Sequence, residues 1–380
     1  MKVLHLCSAY VFSNLYRELI ESLDELDINQ TIYIPVKSKQ SYNKKILNNL
    51  NNTNFIYSKI FNDIDRLFYN HKTNKILNDI KNKIKLNNIN LIHADFLFSM
   101  GGIARKIMKE RGINYIVNIQ NTDVNIFFKY MFFLRKTGIE IMQEAKKIIF
   151  ISPVYKKYVI DHCIPYELKD YIAQKSVIIP FGINPFWFQN KYNNKPKFIK
   201  KNEIRLIYVG SFTKNKNIDS SIKAARKLKE LGYNIKFIII GGRGEYESKV
   251  KKLAKINKDI IEIYDRVEER EKLLSMFRKS DIFVMPSHYE SFGLVYGEAM
   301  SQGLPVIYTK GQGIDGYFSE GTVGYSVNPK DINDIVKKIE MIIHNYNEIS
   351  NNCLGLVEKF SWEKIAKMYY EVYMSKKVYS

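Results

Sequence analysis

One pattern limits the fold more than any other: strand and helix signals alternate in two successive series along 380 residues, with a single break between them. Short β-branched and aromatic runs occur at 2–7, 30–36, 90–94, 115–119, 147–152 and 176–180, spaced widely enough for helices to lie between. Residues 14–27 place Leu15, Leu19, Ile20, Leu23 and Leu26 on one face, as an amphipathic helix requires. A stretch rich in Asn, Lys and Pro interrupts at 183–203. A second series of runs then follows at 204–210, 235–241, 260–264, 281–286, 304–309 and 324–327. Such alternation predicts parallel sheets covered by helices on both faces. The length exceeds what one core normally supports. The expectation is therefore α/β, with two Rossmann-like, doubly wound domains facing across a cleft: 1–182, a linker at 183–203, and 204–359. A final helix is expected at 360–377. The polar spans 37–54 and 70–90 read as exposed helices and loops. Ligands bind beyond the carboxyl ends of strands in such sheets.

Lys and Arg total 59 against 39 Asp and Glu, a formal charge of +20. That excess points to an anionic partner: phosphate, nucleic acid or an acidic membrane face. A composition rich in Lys, Asn, Ile, Tyr and Phe, as AT-rich coding gives, accounts for part of it. Cys7, Cys163 and Cys353 are isolated, which argues against a zinc site or a disulfide framework and fits a reducing cytoplasm. The start, MKVLHLCSAY, reads as a first strand and not a signal peptide. No apolar run is long enough for a spanning helix. Aromatic and basic residues interleave in FFKYMFFLRK (127–136), which fits either a membrane-surface contact or a partly buried helix flanked by lysines. No nucleic-acid-binding module signature appears.

The most informative stretch is MPSHYESFGLVYGEAMSQGLPVI, residues 285–307. A strand ends, a loop follows from Ser287 to Gly293, and a helix begins near Leu294. A helix start offers free N–H groups and a positive dipole end, and glycine lets a ligand approach closely. Those features favour an anion. Two carboxylates, Glu290 and Glu298, flank that start. Carboxylates accept hydrogen bonds in pairs, and vicinal sugar hydroxyls donate them in pairs. The combination suits two sugar rings on either side of a diphosphate. The plainer alternative has Glu298 merely balancing the helix dipole and Glu290 exposed.

The string resembles the signature of retaining two-domain glycosyltransferases of the family-four group, which have the GT-B fold. Its hallmarks stand here as Glu290, Glu298, Ala299, Met300, Gly303, Pro305 and Val306. The resemblance implies a nucleotide-sugar donor held by the second domain. Glu290 would grip the transferred sugar, Glu298 the ribose, and the amides of Ser291, Phe292, Gly293 and Leu294 the diphosphate or sugar. Lys216 would neutralise leaving-group charge, making Glu290, Lys216 and Glu298 the catalytic set. The turn after the first strand of this domain contributes Gly210 and Ser211. The family usually carries Arg where Ser211 stands, and a hydroxyl cannot replace a guanidinium fork, so Lys214 or Arg243 becomes a candidate base. The glycine turn adds Gly242 and Arg243, and the segment 264–267 places Val267 near the nucleotide base.

In the first domain the resemblance implies acceptor contacts from Gln120, Asn121, Asp123 and Asp95, with Gln120 where relatives often show His. His93 reads as a structural strand-end residue. The glycine pair that many relatives carry near 8–14 is missing. No metal and no cofactor are expected, because no D-x-D pair lies beside these positions. The final helix is expected to cross back to the first domain. The expected partners are a nucleotide-sugar, a glycan or lipid-linked acceptor and an anionic membrane, with no nucleic acid. The expected location is the cytoplasm, at the inner face of the plasma membrane, in bacterial cell-surface glycan synthesis. Two alternatives stay open: a degenerate sugar-nucleotide-binding subunit, and a nucleotide-sugar epimerase on the same fold. A dehydrogenase is disfavoured, since no G-x-G-x-x-G follows the first strand.

Overall fold

The computed structural model describes residues 1–38, 50–61, 68–193 and 203–375. The chain forms two compact units: Met1–Gly182 together with the chain from Trp362 onward, and Ile183–Ser361.

The first unit holds a seven-stranded sheet of order β3-β2-β1-β4-β5-β6-β7, every pairing parallel. Its strands are β1 (Lys2–Leu6), β2 (Asn29–Val36), β3 (Thr53–Lys59), β4 (Leu91–Ala94), β5 (Tyr115–Ile119), β6 (Lys147–Phe150) and β7 (Ser176–Ile178). Central strands such as Leu91–Ala94 and Tyr115–Ile119 are buried throughout, as continuous apolar runs in a parallel sheet should be. β3 is a strand absent from the expected series, and it takes in only the last two residues of the span 37–54. It is an edge strand with only Ser58 fully buried, so its sequence, TNFIYSK, carries little apolar signal. Residues 39–49 of that span lie outside the described residues, as do 194–202 of the expected linker. Its start includes a short helix, Pro185–Gln189, capped by Asn184.

The helix Trp362–Met374 belongs to the first unit. It packs along the helix Asn14–Asp24, with the Trp362 indole donating to Glu18 Oε2 at 2.9 Å. Gly182 makes the close approach possible, since a Cβ there would lie 2.4 Å from the Trp362 ring. Deeper in, a buried relay ties this helix to the sheet. The Tyr373 hydroxyl meets His93 Nδ1 at 2.9 Å, His93 Nε2 meets Asn118 Oδ1 at 3.0 Å, and Asn118 Nδ2 donates to the Tyr369 hydroxyl at 3.1 Å. His93 thus has the structural role expected of it. The last residues of the expected 360–377 helix, 376 and 377, lie outside the described residues.

The second unit holds a six-stranded parallel sheet of order β10-β9-β8-β11-β12-β13. These strands are β8 (Ile204–Ser211), β9 (Ile235–Gly242), β10 (Ile261–Asp265), β11 (Ile282–Val284), β12 (Val306–Thr309) and β13 (Gly324–Val327). Edge-to-face contacts link Trp187, Phe277, Phe283 and Tyr296 in its core. The strand order reverses between β8 and β11, and in the first unit between β1 and β4. A crevice beyond the strand ends opens at such switch points.

Candidate functional site

At the β8/β11 switch point two loops are stitched together. After β8 the chain turns through Lys214–Lys216, and Asn217 takes the left-handed conformation (φ 52°) that asparagine tolerates better than most residues. After β11 it runs through Pro286 and Glu290 to the helix Leu294–Ser301. Asn215 grips the second loop from both ends of its amide. Its Nδ2 donates to Tyr289 O at 2.8 Å and its Oδ1 accepts from the Tyr289 N–H at 3.0 Å. The His288 N–H donates to Asn215 O at 2.7 Å. Asn217, 3% exposed, donates to Pro286 O at 2.9 Å and to Pro329 O at 2.6 Å.

This stitching brings Lys216 Nζ to 2.5 Å from Glu290 Oε2, across 74 residues of sequence. Glu290 is only 8% exposed. Its Oε1 accepts from the Ser291 N–H at 3.2 Å, its own N–H donates to Gln312 Oε1 at 3.3 Å, and its carbonyl accepts from the Gly313 N–H at 3.1 Å. A buried carboxylate needs such compensation. Burial first, and the Glu290 charge second, holds the Tyr208 and Tyr296 hydroxyls well above their ordinary range. They stay protonated and donate to Ser211 O (3.0 Å) and Met285 O (2.6 Å). The reading of Glu290 as merely exposed therefore fails.

Gly293 begins the helix at φ 77°, and a Cβ there would lie 2.4 Å from the Tyr296 ring. The first amides of this helix have no partner within it. Glu298 sits in its second turn, half-buried, and its carbonyl accepts from Ser301 Oγ.

A separate cavity of 290 Å³ opens at the carboxyl ends of β8, β9 and β10. Of the predicted donor residues, Gly210, Ser211, Gly242, Arg243 and Val267 line it, while Lys216 and Glu290 do not. Its size lies at the low end for ligand pockets, enough for part of a nucleotide. The glycine turn has a structural reason of its own. A Cβ on Gly241 would lie 1.9 Å from Gly210 O, and one on Gly244 2.2 Å from Phe212 O. Ser211 supplies no cation, but two arginines, Arg243 and Arg266, are among the residues lining the same cavity. Glu268 bridges them at 3.8 and 3.4 Å. Arg266 is a residue that motif reading overlooked, although it lies within the segment singled out for Val267.

In the first unit the four predicted acceptor residues sit at the ends of β4 and β5, but mostly turned inward. Asp123, 1% exposed, accepts the N–H groups of Leu97 (3.2 Å), Phe98 (3.2 Å) and Gln120 (3.0 Å). Asp95 is 2% exposed, and burial pushes both carboxyls up to about 7. Gln120 donates to Asp95 O (2.7 Å) and the Tyr16 hydroxyl (2.8 Å). Only Asn121 is half-buried, accepting from the Tyr155 hydroxyl at 3.0 Å. Among the described residues, one trio of possible metal ligands clusters, His5, His93 and Asp95, with ligand atoms within 4.8 Å. Both ring nitrogens of His93 are already engaged by Tyr373 and Asn118, which leaves no lone pair for an ion.

Residues 190–353 match the family described as Glycosyl transferases group 1. An uncharacterised glycosyltransferase of Methanocaldococcus jannaschii is 26% identical over 373 residues, spanning 93% of this chain and 92% of that protein. The capsular polysaccharide biosynthesis glycosyltransferase CapM of Staphylococcus aureus is 29% identical over 192 residues, 47% of this chain and 49% of the relative. Among solved structures, Anabaena HepE in complex with UDP superposes with a TM-score of 0.70 at 13% identity, covering 98% of this chain and 99% of that one. Sequence match and fold point the same way: residues 190–353 carry the similarity to group 1 glycosyltransferases, and the two parallel-sheet units have the GT-B fold of the solved glycosyltransferases.

Proposed function

We propose that this chain is a retaining glycosyltransferase that moves a sugar from a nucleotide-sugar to a saccharide or lipid-linked acceptor, in bacterial cell-surface polysaccharide synthesis. The observation that carries the reading is the Lys216–Glu290 pair, held at the sheet's switch point by Asn215 and Asn217. A buried pair beside a helix N-terminus is preorganised for a substrate carrying both hydroxyls and phosphate. Glu290 accepts from the transferred sugar, and Glu298 from the ribose. The amides from Ser291 to Leu294 meet the diphosphate or sugar. Lys216, already beside the site, takes up charge that develops on the leaving group. The cavity lined by Ser211, Arg243, Arg266 and Val267 receives part of the nucleotide, and the UDP bound by HepE supports that class of donor. Charge relief comes from the protein, so no metal is needed. The first unit takes the acceptor, with Asn121 its most accessible polar contact and Gln120, Asp95 and Asp123 holding that loop in shape. The capsule relative supports the polysaccharide setting. Three isolated cysteines suit a cytoplasmic location. The intact pair favours catalysis over a donor-binding subunit.

The test is nucleotide release by the purified chain across a panel of nucleotide-sugars, with and without a chelator. The expected result is release from one donor class, unaffected by the chelator and lowered about 10²–10³-fold by Lys216→Ala, the loss typical for removing one group that stabilises transition-state charge. Release left unchanged by both Lys216→Ala and Glu290→Gln would refute the assignment.

A further inference from the structure

We propose that residues 126–136 of the first unit form a docking surface for an anionic lipid bilayer. After β5 the chain makes a wide helical turn at Asp123–Phe128 and a tight one at Phe132–Leu134, then enters the helix Arg135–Glu144. Val124, Phe128 and Leu134 bury the apolar side of this stretch. Four further large apolar side chains point outward: Ile126 (50% exposed), Tyr130 (73%), Phe132 (63%) and Phe133 (75%). The described residues contain thirteen exposed large hydrophobics, and these four fall within eight consecutive positions. Scattered exposed apolar residues need no explanation, but a cluster marks an interaction surface.

The charges select the occupant. From 124 to 139 there is no acidic residue, while Lys129, Arg135 and Lys136 are basic, in a chain of charge +20. Arg135 lies 4.3 Å above the Phe132 ring and its Nε donates to Phe128 O at 2.7 Å, so cation and aromatic are presented together. Phe and Tyr beside Lys and Arg is the composition of an interfacial anchor. A second copy of the chain would bring like charges face to face, which disfavours self-association through this patch. Among the described residues no helix is long and apolar enough to cross a membrane, so the contact is peripheral. This inference is independent of the donor site and stands if that assignment falls.

The test is co-sedimentation of the full chain with phosphatidylcholine vesicles and with mixed phosphatidylcholine–phosphatidylglycerol vesicles. Binding to the anionic vesicles alone is expected. The double variant Phe132→Ser, Phe133→Ser keeps every charge, and it should weaken that binding by at least about ten-fold while retaining its melting temperature. A Phe133→Trp variant should show fluorescence quenched by brominated lipid. Equal binding to both vesicle types, no binding, or unchanged binding by the serine variant overturns the proposal. So does a concentration-dependent dimer that the serine variant abolishes, which would assign the face to a second copy.

Discussion

Removing one partner of the Lys216–Glu290 pair tests the site without any substrate. The Lys216 side chain is 22% exposed and that of Glu290 is 9% exposed, at 2.5 Å. At an effective dielectric of about 20, two charges at that distance attract by roughly 7 kcal/mol, and desolvation cancels most of it. Lys216→Ala takes the cation away from a buried carboxylate whose Oε1 accepts from the Ser291 amide. Stripping one partner from a fully buried pair costs about 3–5 kcal/mol, whereas exposed pairs are worth about 0.2–1. With the lysine partly wet, about 2–3 kcal/mol is expected. For a domain of this size that lowers Tm by about 4–12 °C. Glu290→Gln should cost about 1 kcal/mol, because the amide oxygen still accepts from the ammonium, which is also the better hydrated partner. A double-mutant cycle read by thermal denaturation should give a coupling of about 1–2 kcal/mol. High salt should change it little, in contrast to the surface pair Arg226–Asp259. Coupling below about 0.5 kcal/mol, the scatter expected for independent sites, would refute the claim that these charges hold each other in place.

Two further outcomes follow. Asn217→Ala loses three side-chain hydrogen bonds, to Pro286 O, to Pro329 O and from Ser220 Oγ, and forces alanine to φ near 52°, so it should cost about 2–4 kcal/mol; Asn217→Gly, relieved of the backbone strain, should cost less. Equal melting temperatures for the two variants would remove the strain argument. Asp95 is raised by burial to about 7, so its contribution to stability is present below its ordinary value near 3.8 and is lost as pH rises through 7. His5 and His93 are lowered by burial, His93 to about 4, and they contribute with the opposite slope below pH 6.5. The wild-type curve mixes these trends, but the difference between Asp95→Asn and wild type isolates the carboxyl. Denaturation titrations should show Asp95→Asn gaining relative stability from pH 4 to 8, and a flat difference would contradict the burial argument.

Local pattern carried much of this protein. Contiguous Val and Ile runs announce buried parallel strands because both faces of such a strand are covered, and Glu290, Gly293 and Glu298 stand close enough in sequence for their spacing around a helix start to be read directly. The edge strand Thr53–Lys59 escaped because a strand with one covered side and polar side chains loses that signal. Periodicity also says nothing about strand order. That β8 lies beside β11 is decided by tertiary packing, and only this places Lys216 on Glu290 and lets Asn215 clasp the loop at Tyr289. The same packing decided that Asp123 turns inward to three amides and that Arg266 joins Arg243 around one cavity. Local sequence sets what each segment prefers, while contacts between distant segments depend on how the sheets close, and the charged chemistry of this site is made of such contacts.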